Sequence, residues 1–351
     1  MKIAVLLSGG VDSSLALRLL HEEGGHELTA FYLKIWLEDE LAFLGDCPWE
    51  EDLGYARSTC AQLGIPLEII PLQSEYLEKV VEHALSKLRA GRTPSPDIFC
   101  NQRIKFGEFF RRIDPSYEKV ASGHYAQIEE GNGTYQLKRA PDLVKDQTYF
   151  LSNLDQQQLS RALFPIGHLH KKEVRDLALD FDLPAKERKD SQGICFLGKI
   201  NYRDFVQFHL GEKEGEIREF GSGKLLGEHR GFWFYTIGQR FGLGLSGGPW
   251  YVTEKDVENN LLYVAHRNDW KPRNRYIFTV ADVNWVAREP EKVDLQIKLR
   301  HGPDFTDGRI SPLADGRLEV ALADPDPGIA PGQHAVFYDD QICLGGGVIC
   351  D

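Results

Sequence analysis

The sequence predicts an α/β protein with a parallel-sheet N-terminal domain, a small mixed central domain and a C-terminal β-barrel. Two observations predict this fold class. Apolar strand-like runs alternate with amphipathic helical patterns up to about residue 200, and almost only strand-like segments follow residue 274. Strands separated by helices imply parallel pairing with helices on both faces of the sheet. We therefore expect domains over residues 1–200, 201–273 and 274–351.

The N-terminal elements follow from hydrophobic periodicity. The continuous apolar run over Ile3–Leu7 predicts a buried strand, and the apolar stripe after Ser13 predicts a helix that Gly24 and Gly25 end. Similar patterns predict further elements at the following positions: helices over 53–63 and 77–88, and strands over 29–36, 67–70 and 119–122.

The chain after residue 201 is richer in glycine and aromatic residues. A short apolar stripe predicts a helix over 202–211, and two β-rich runs predict a hairpin over 250–264. Turn residues such as Asp315-Gly316 and Pro331-Gly332 then separate five predicted strands, over 277–283, 293–299, 318–322, 334–338 and 342–348. Short strands with such turns are typical of a small barrel or sandwich.

Composition excludes several classes of protein. No apolar stretch is long enough to predict a membrane span, and the N-terminal apolar run is too short for a secretory signal, so we expect a cytoplasmic protein. The net charge of −12 argues against a general nucleic-acid coat protein, although a local basic face could still contact RNA. The six cysteines form no Cys-x-x-Cys pair, which argues against a zinc ribbon.

The segment Ser8–Ser14, with the sequence SGGVDSS, joins the first predicted strand to the first predicted helix. An α/β sheet places its ligand at this point, and free amides at a helix start bind phosphate. The segment lacks the Gly-Lys-Ser/Thr ending of a Walker loop and the G-x-G-x-x-G of a dinucleotide fold. A tight turn capped by Asp12 or Ser13 is the alternative interpretation, and we favour phosphate binding.

Two further segments carry a thiol on a predicted loop. In TPSPDIFCN (93–101), Asp97 and Cys100 are three residues apart, so a turn or helix start would place them on the same side. A proline-rich turn with a half-buried cysteine explains this segment equally well. In DSQGICF (190–196), Cys195 follows polar residues and a glycine. Two loop thiols beside a nucleotide suit persulfide chemistry, in which one carries sulfur and the other resolves it as a disulfide. Cys60, Cys343 and Cys350 fit packing positions, and loop packing is the favoured interpretation of Cys47.

These motifs, together with SGHYA (122–126), KDQTYFL (145–151), GQR (238–240) and PGQ (331–333), resemble the tRNA-specific 2-thiouridylases of the PP-loop ATP pyrophosphatase superfamily. The resemblance runs almost from end to end. It implies ATP-dependent 2-thiolation of a tRNA wobble uridine, at position 34, through adenylation of O2 and sulfur transfer from a cysteine persulfide. Ser95 stands where the family commonly has Asn, and Leu33 where it often has Met.

The resemblance also implies roles for individual residues. Cys100 is expected to be the nucleophile, Cys195 the persulfide carrier and Asp97 an acid/base group. ATP is expected to contact Leu6, Leu7, Ser8, Gly9, Gly10, Val11, Asp12, Ser13, Leu33 and Gly123. The tRNA is expected to contact Ser95, Pro96, Asp97, His124, Lys145, Asp146, Gln147, Arg300, His301 and Gln333. Each of these polar residues taken alone is more typical of an ordinary solvated surface.

The implied cofactors are ATP and Mg²⁺, and the implied partners are the anticodon stem-loop of tRNA and a persulfide donor protein, either a cysteine desulfurase or a sulfur relay. We expect a monomer that binds no membrane. Two other interpretations stay open: a small-molecule adenylating ligase of the same fold, and a non-catalytic tRNA-binding protein that holds ATP structurally. An iron–sulfur cluster on Asp97, Cys100 and Cys195 is a further alternative, which the cysteine spacing does not favour.

Overall fold

The computed structural model describes residues 1–35, 49–190, 201–266 and 276–350. Its N-terminal part contains a five-stranded parallel sheet with the order β3-β2-β1-β4-β7. The strands are β1 Lys2–Leu6, β2 Glu27–Lys34, β3 Leu67–Pro71, β4 Lys119–Ala121 and β7 Ala162–Leu163. The central strand β1 is almost wholly buried, as expected of a strand with helices on both faces. The predicted parallel-sheet α/β domain is confirmed.

The helices around this sheet bury apolar stripes on it. The first helix buries Leu15, Leu17 and Leu20 and ends at Gly24, which adopts a positive φ of 70°. Two long helices each contain a π-helical stretch within α-helical ends. The helical segments are Val11–Glu23, Trp49–Leu63, Gln73–Tyr76, Leu77–Val81, Glu82–Arg89, Pro96–Phe99, Cys100–Glu108, Phe109–Arg112, Thr148–Leu151, Gln156–Arg161, Lys171–Asp180 and Tyr202–Leu210. None in the described ranges is both long and apolar enough to cross a bilayer.

The central region forms a small sheet with the order β10-β11-β8-β9. Its strands are β8 Gly215–Glu219, β9 Leu225–His229, β10 Trp250–Asp256 and β11 Leu261–His266, and a 3-10 turn covers Phe232–Phe234. The predicted hairpin is confirmed, since β10 and β11 pair antiparallel with Trp250 opposite His266. Strands β8 and β9 were not predicted, because β8 has one apolar residue among charged ones and β9 has no alternation of apolar and polar residues.

The C-terminal region forms the predicted barrel. Its strands are β12 Ile277–Trp285, β13 Asp294–Lys298, β14 Thr306–Pro312, β15 Leu318–Leu322, β16 His334–Asp339 and β17 Ile342–Ile349. They pair in the order β12-β15-β14-β13-β16-β17, and pairing of β17 with β12 closes the ring. Buried aliphatic and aromatic side chains such as Val280, Val320 and Phe337 fill the interior. Of these six strands only β14 was not predicted, because glycine, proline and charged residues interrupt its alternation of apolar and polar residues.

A hairpin from the N-terminal half joins the barrel sheet. Strands β5 Ala126–Gly131 and β6 Thr134–Arg139 pair with each other, and β6 then pairs with β17, where Lys138 lies opposite Ile342. This hairpin was not predicted, since its exposed polar residues hide the strand pattern. It fixes the barrel to the chain that leads from β4 to the helix Thr148–Leu151.

Candidate active site

The segment Ser8–Ser14 forms an open loop at the carboxyl end of β1. Ser13 Oγ donates to Gly10 O over 3.0 Å and accepts from Ser8 N over 3.2 Å. Gly10 caps the first helix without a side-chain hydrogen bond, so no side chain blocks the first amides of that helix. Free amides at a helix start form an anion site, and we call this segment the phosphate loop.

Two glycines allow the backbone to close around the phosphate loop. Gly9 has a φ of +78°, and a Cβ on it would lie 2.1 Å from Asp52 O. A Cβ on Gly123 would lie 2.7 Å from Ser13 N. Any side chain at either position would therefore displace the loop. Gly123 follows β4, so the neighbouring strand ends against the phosphate loop.

The apolar residues predicted to hold ATP lie around this loop. Leu6, Leu7 and Val11 are buried, whereas Leu33 near the end of β2 is half-buried. Leu6 belongs to a buried cluster that Leu33 also contacts. An apolar surface of this kind beside an anion-binding loop suits a nucleotide base.

A charge network lies beside the phosphate loop. Asp12 accepts from Lys171 Nζ over 2.7 and 2.9 Å and from the Tyr125 hydroxyl over 2.8 Å. Lys171 Nζ also lies 2.8 Å from Asp190 Oδ1, and Lys145 Nζ lies 2.8 Å from Asp190 Oδ2. Burial acts to raise the pKa of Asp190, but hydrogen bonds from Lys145 and Lys171 outweigh it and hold that pKa far below its usual range. Asp190 is therefore a carboxylate anchored to the phosphate loop.

The segment that contains TPSPD lies where the three sheets meet. Thr93 N donates to Pro331 O over 2.8 Å, which joins the segment to the barrel. Lys255 Nζ donates to Gly91 O over 3.0 Å, and Thr93 Oγ1 donates to Thr236 Oγ1 over 3.4 Å. The last two bonds join it to the central region. Contacts on both sides therefore anchor this segment.

A helix begins at this junction and carries the candidate nucleophile. Ser95 caps it, Pro96 occupies its first turn, and Asp97 follows as a half-buried carboxylate. Cys100 is 3% exposed and belongs to the same buried cluster as Leu6, which lies two residues before the phosphate loop. Because the segment is helical, Asp97 and Cys100 lie on one face. The helical segment that begins at Cys100 continues to Phe106, whose ring lies 6.1 Å from that of His124, the neighbour of Gly123.

The other cysteines divide into three groups. Cys60 and Cys343 are buried, as their packing interpretation predicts, and burial raises their pKa values to about 11 and about 12. Cys350 is half-buried. Cys47 and Cys195 lie outside the described residues. Among those residues, no group of three or more His, Cys, Asp or Glu side chains could hold a metal ion.

Several residues predicted to contact tRNA lie near this site. Lys145 pairs with Asp190, and Gln147 Oε1 accepts from Tyr125 N over 2.9 Å. The ring of His301 packs 4.6 Å from that of Phe150, while Arg300 is paired with Asp326. Both Arg300 and His301 are exposed on the barrel. Gln333 Oε1 is buried without a hydrogen-bond partner in the described structure.

Two of the predicted tRNA contacts have internal partners instead. Asp146 and Lys298 are wholly buried and form an ion pair of 3.2 Å. His124 is buried with Nδ1 2.7 Å from Ser122 Oγ, and burial holds the pKa of His124 well below its usual value. Contact of these two side chains with tRNA stays a prediction. Their burial favours an indirect contribution, through the position of Lys145 and Gln147.

Sequence reasoning missed Lys171, Arg175 and Tyr125. Lys171 and Arg175 are part of a helix that has the pattern of any solvated surface, so no local signal distinguishes them. Tyr125 lies within the motif SGHYA, but only the fold shows that its hydroxyl reaches Asp12.

Comparison with known proteins covers nearly the whole chain. Three family models match: "tRNA methyl transferase HUP domain" over residues 1–199, "tRNA methyl transferase PRC-barrel domain" over 203–266 and "Aminomethyltransferase beta-barrel domain" over 275–349. The chain is 46% identical to the tRNA-specific 2-thiouridylase MnmA 1 of Bacteroides thetaiotaomicron, with 99% of each chain covered. It belongs to the tRNA-specific 2-thiouridylase family.

Other members of the 2-thiouridylase family agree with this assignment. The MnmA protein of Parabacteroides distasonis is 44% identical over 100% of this chain and 99% of its own. Among solved structures, the U34-tRNA thiolase NcsA from Methanococcus maripaludis, determined with its [4Fe-4S] cluster, is 19% identical. The match covers 59% of this chain and 63% of that one, with a TM-score of 0.36.

Proposed function

We propose that this chain is a tRNA-uridine 2-sulfurtransferase, which uses ATP to replace O2 of a uridine with sulfur. The observation that carries the proposal is that the helical segment following Asp97 and Cys100 packs Phe106 against His124, next to Gly123, which lies against the phosphate loop. Family membership over the full length supports it. An anion site beside a carboxylate and a thiol suits adenylation followed by nucleophilic displacement.

The phosphate loop supplies the site for adenylation. Uridine O2 attacks the α-phosphorus of ATP, pyrophosphate leaves, and the O2–C2 unit becomes a phosphate ester with AMP as its leaving group. The loop amides stabilise negative charge on the departing pyrophosphate. Mg²⁺ would neutralise part of that charge, and the oxygens of Asp12 and Ser13 are of the type it prefers.

The two thiols then complete the sulfur transfer. In one route the Cys195 persulfide attacks C2, and Cys100 thiolate attacks the Cys195 sulfur to give a disulfide, thiouridine and AMP. In the other route Cys100 attacks first and releases hydrosulfide, which displaces AMP from C2. Asp97 accepts or returns the proton in either route. A thiol reductant reopens the disulfide, and a donor protein, a cysteine desulfurase or a sulfur relay, reloads Cys195.

Chain connectivity limits how far Cys195 can lie from Asp190. Asp190, five residues earlier, is ion-paired to Lys171 beside the phosphate loop. Five residues span at most about 18 Å, which limits the distance between these two positions. An iron–sulfur cluster on Asp97, Cys100 and Cys195 is the less favoured alternative, and the absorbance spectrum of anaerobically purified protein would reveal it.

The tRNA is proposed to approach across the junction of the three sheets. Ser95, Pro96 and Asp97 would meet the target uridine, for which we propose the wobble position of the anticodon stem-loop. Gln147, Arg300, His301 and Gln333 would contact the surrounding nucleotides, and Lys145 would contact either these nucleotides or the triphosphate of ATP. The uridine must leave its stack to reach Cys100, at a cost of a few kcal/mol. We further propose a cytoplasmic monomer.

Nucleoside mass spectrometry of tRNA tests the function. Purified protein with ATP, Mg²⁺, a persulfide donor and unmodified tRNA is expected to form 2-thiouridine together with AMP and pyrophosphate. Cys100→Ser and Cys195→Ser should abolish the product, while Cys350→Ser, at a half-buried position on the barrel, should retain it. Full thiolation by either of the first two variants would reject the role assigned to that thiol. ATP consumption without tRNA would instead indicate a small-molecule ligase.

A further inference from the structure

We propose that Lys171, Arg175 and Lys145 form a second half of the phosphate site, which binds the pyrophosphate end of ATP in competition with Asp190. The inference rests on the proposed ATP cleavage and adds to it three cationic side chains and an internal competitor. We call these three side chains and Asp190 the cation cluster.

The geometry of the cation cluster is that of an anion site. The carboxylate of Asp190 receives Lys171 Nζ and Lys145 Nζ, each over 2.8 Å, and a further hydrogen bond from Arg175. Three cations around one carboxylate exceed what a simple ion pair requires. Only 14% of the Lys171 side chain is exposed, and burial strengthens its interaction with an anion. Arg175 and Lys145 are more open, at 27% and 38% exposed, so a ligand can reach them.

The cation cluster continues directly from the phosphate loop. Lys171 Nζ bonds both oxygens of Asp12, the second residue of the helix that begins with the loop. A triphosphate seated on the loop amides therefore has its free end beside Lys171. Lysine and arginine donors bind phosphate oxygens and carboxylate oxygens with the same geometry. Asp190 thus occupies the position of an anionic ligand.

Charge favours a pyrophosphate in place of Asp190. The nearby carboxylate of Asp142 accepts the backbone N–H of Lys171 over 3.0 Å and contributes a third negative charge. With Asp190 included, the positive charges of Lys145, Lys171 and Arg175 equal the negative charges of Asp12, Asp142 and Asp190. Without Asp190, one net positive charge remains. A site with net positive charge stabilises the charge that develops on departing pyrophosphate.

Calorimetric titration of the intact protein with inorganic pyrophosphate and Mg²⁺ tests this site without tRNA or a sulfur donor. Lys171→Gln should weaken binding about tenfold or more, equivalent to about 1.4 kcal/mol. Asp190→Asn should tighten binding by about threefold or more, because the competing charge is lost. Lys172→Gln is the matched control, since that neighbouring side chain is 88% exposed and pairs with Asp176. It should bind as the wild type does.

Two further variants protect the test against misfolding. Lys171→Arg keeps the charge and should retain most of the affinity. The double variant Lys171→Gln/Asp190→Asn removes one charge of each sign, so the net charge of the site equals that of the wild type, and it should bind more weakly than Asp190→Asn alone. Equal affinities of the Lys171→Gln and Lys172→Gln variants, or weaker binding by Asp190→Asn than by the wild type, would overturn the proposal.

The titration also separates this inference from the proposed function. If the wild type forms no 2-thiouridine but the variants rank as expected, the thiolation assignment fails and the anion site stands. If thiolation proceeds and the variants do not differ, the anion site fails alone. The KM for ATP in tRNA-dependent AMP formation should rise in Lys171→Gln with the same ratio as the pyrophosphate affinity falls.

Discussion

The buried ion pair between Lys298 and Asp146 offers the sharpest test of how the barrel supports the site. Lys298 Nζ lies 3.2 Å from Asp146 Oδ2, and both side chains are 0% exposed. Burial lowers the pKa of Lys298, and the charge of Asp146 opposes that shift. Lys298→Met keeps the volume and leaves Asp146 as a buried carboxylate without its cation. The hydrogen bonds from Thr148 Oγ1 and Ala140 N remain but do not neutralise the charge.

The expected cost is large for a single substitution. Breaking a buried pair by removing one partner costs about 3–5 kcal/mol, whereas an exposed pair is worth about 1 kcal/mol or less. The exposed pair Arg309–Asp294, with side chains 62% and 69% exposed, gives a control on the same barrel. Replacing both buried partners, in Lys298→Met/Asp146→Asn, should recover more than half of the loss because no isolated charge remains.

Urea unfolding followed by circular dichroism measures the free energy of unfolding of each variant, and the same unfolding transition is compared in all of them. The reasoning is refuted if Lys298→Met loses no more stability than Arg309→Met. It is also refuted if the double variant Lys298→Met/Asp146→Asn is no more stable than Lys298→Met. The pair also joins the Lys145–Gln147 segment to β13, which Arg300 follows closely. We therefore expect Lys298→Met to raise the KM for tRNA as well.

Three further predictions concern the phosphate loop, a buried histidine and the three-sheet junction. Gly123→Ala places a Cβ 2.7 Å from a loop nitrogen and should weaken ATP binding, measured by calorimetry, more than tenfold, or about 1.4 kcal/mol. As a control, the Cβ of Gly54→Ala meets nothing within 4 Å, and this variant should bind ATP as the wild type does. Burial lowers the pKa of His334 to about 4, against about 6.5 when unfolded, so the unfolded state alone takes up a proton between these values. His334 should therefore contribute about 2 kcal/mol to the loss of stability between pH 7 and pH 5 in urea unfolding, and a His334→Gln variant that loses as much as the wild type would contradict this. Lys255→Met removes the donor to Gly91 O, and it should cost about 1 kcal/mol of stability and raise the KM for tRNA. Unchanged thiolation kinetics would argue against a role for that hydrogen bond.

The phosphate loop could be located from the sequence because all of its determinants are local. A buried strand, two glycines and a helix start follow one another without interruption, so the topology of one β–α unit is enough. The helix at Pro96 was predicted only as a turn or helix start, because Pro94 and Pro96 fix the backbone without selecting a length. The hairpin at Ala126–Arg139 was not predicted, since its pairing with β17 depends on residues some two hundred positions away.

The sequence alone could not predict which charged side chains are buried or which partners they have. Asp146 and Lys145 are adjacent and equally polar, yet the first is wholly buried against Lys298 and the second reaches Asp190. Lys171 and Lys172 are likewise adjacent, and only the former bonds Asp12. Whether a charged residue faces inward depends on which distant partner the fold brings to it.

The sequence by itself determined the α/β class, the phosphate loop and the C-terminal barrel, because hydrophobic period and turn chemistry are properties of neighbouring residues. Only the tertiary structure decided that the TPSPD segment lies between all three sheets, that Cys100 shares a buried cluster with Leu6, and that Asp190 is held beside Asp12. These are contacts between residues far apart in the chain. Their energies come from burial and from charges paired in a low dielectric, and both depend on which residues the folded chain brings together.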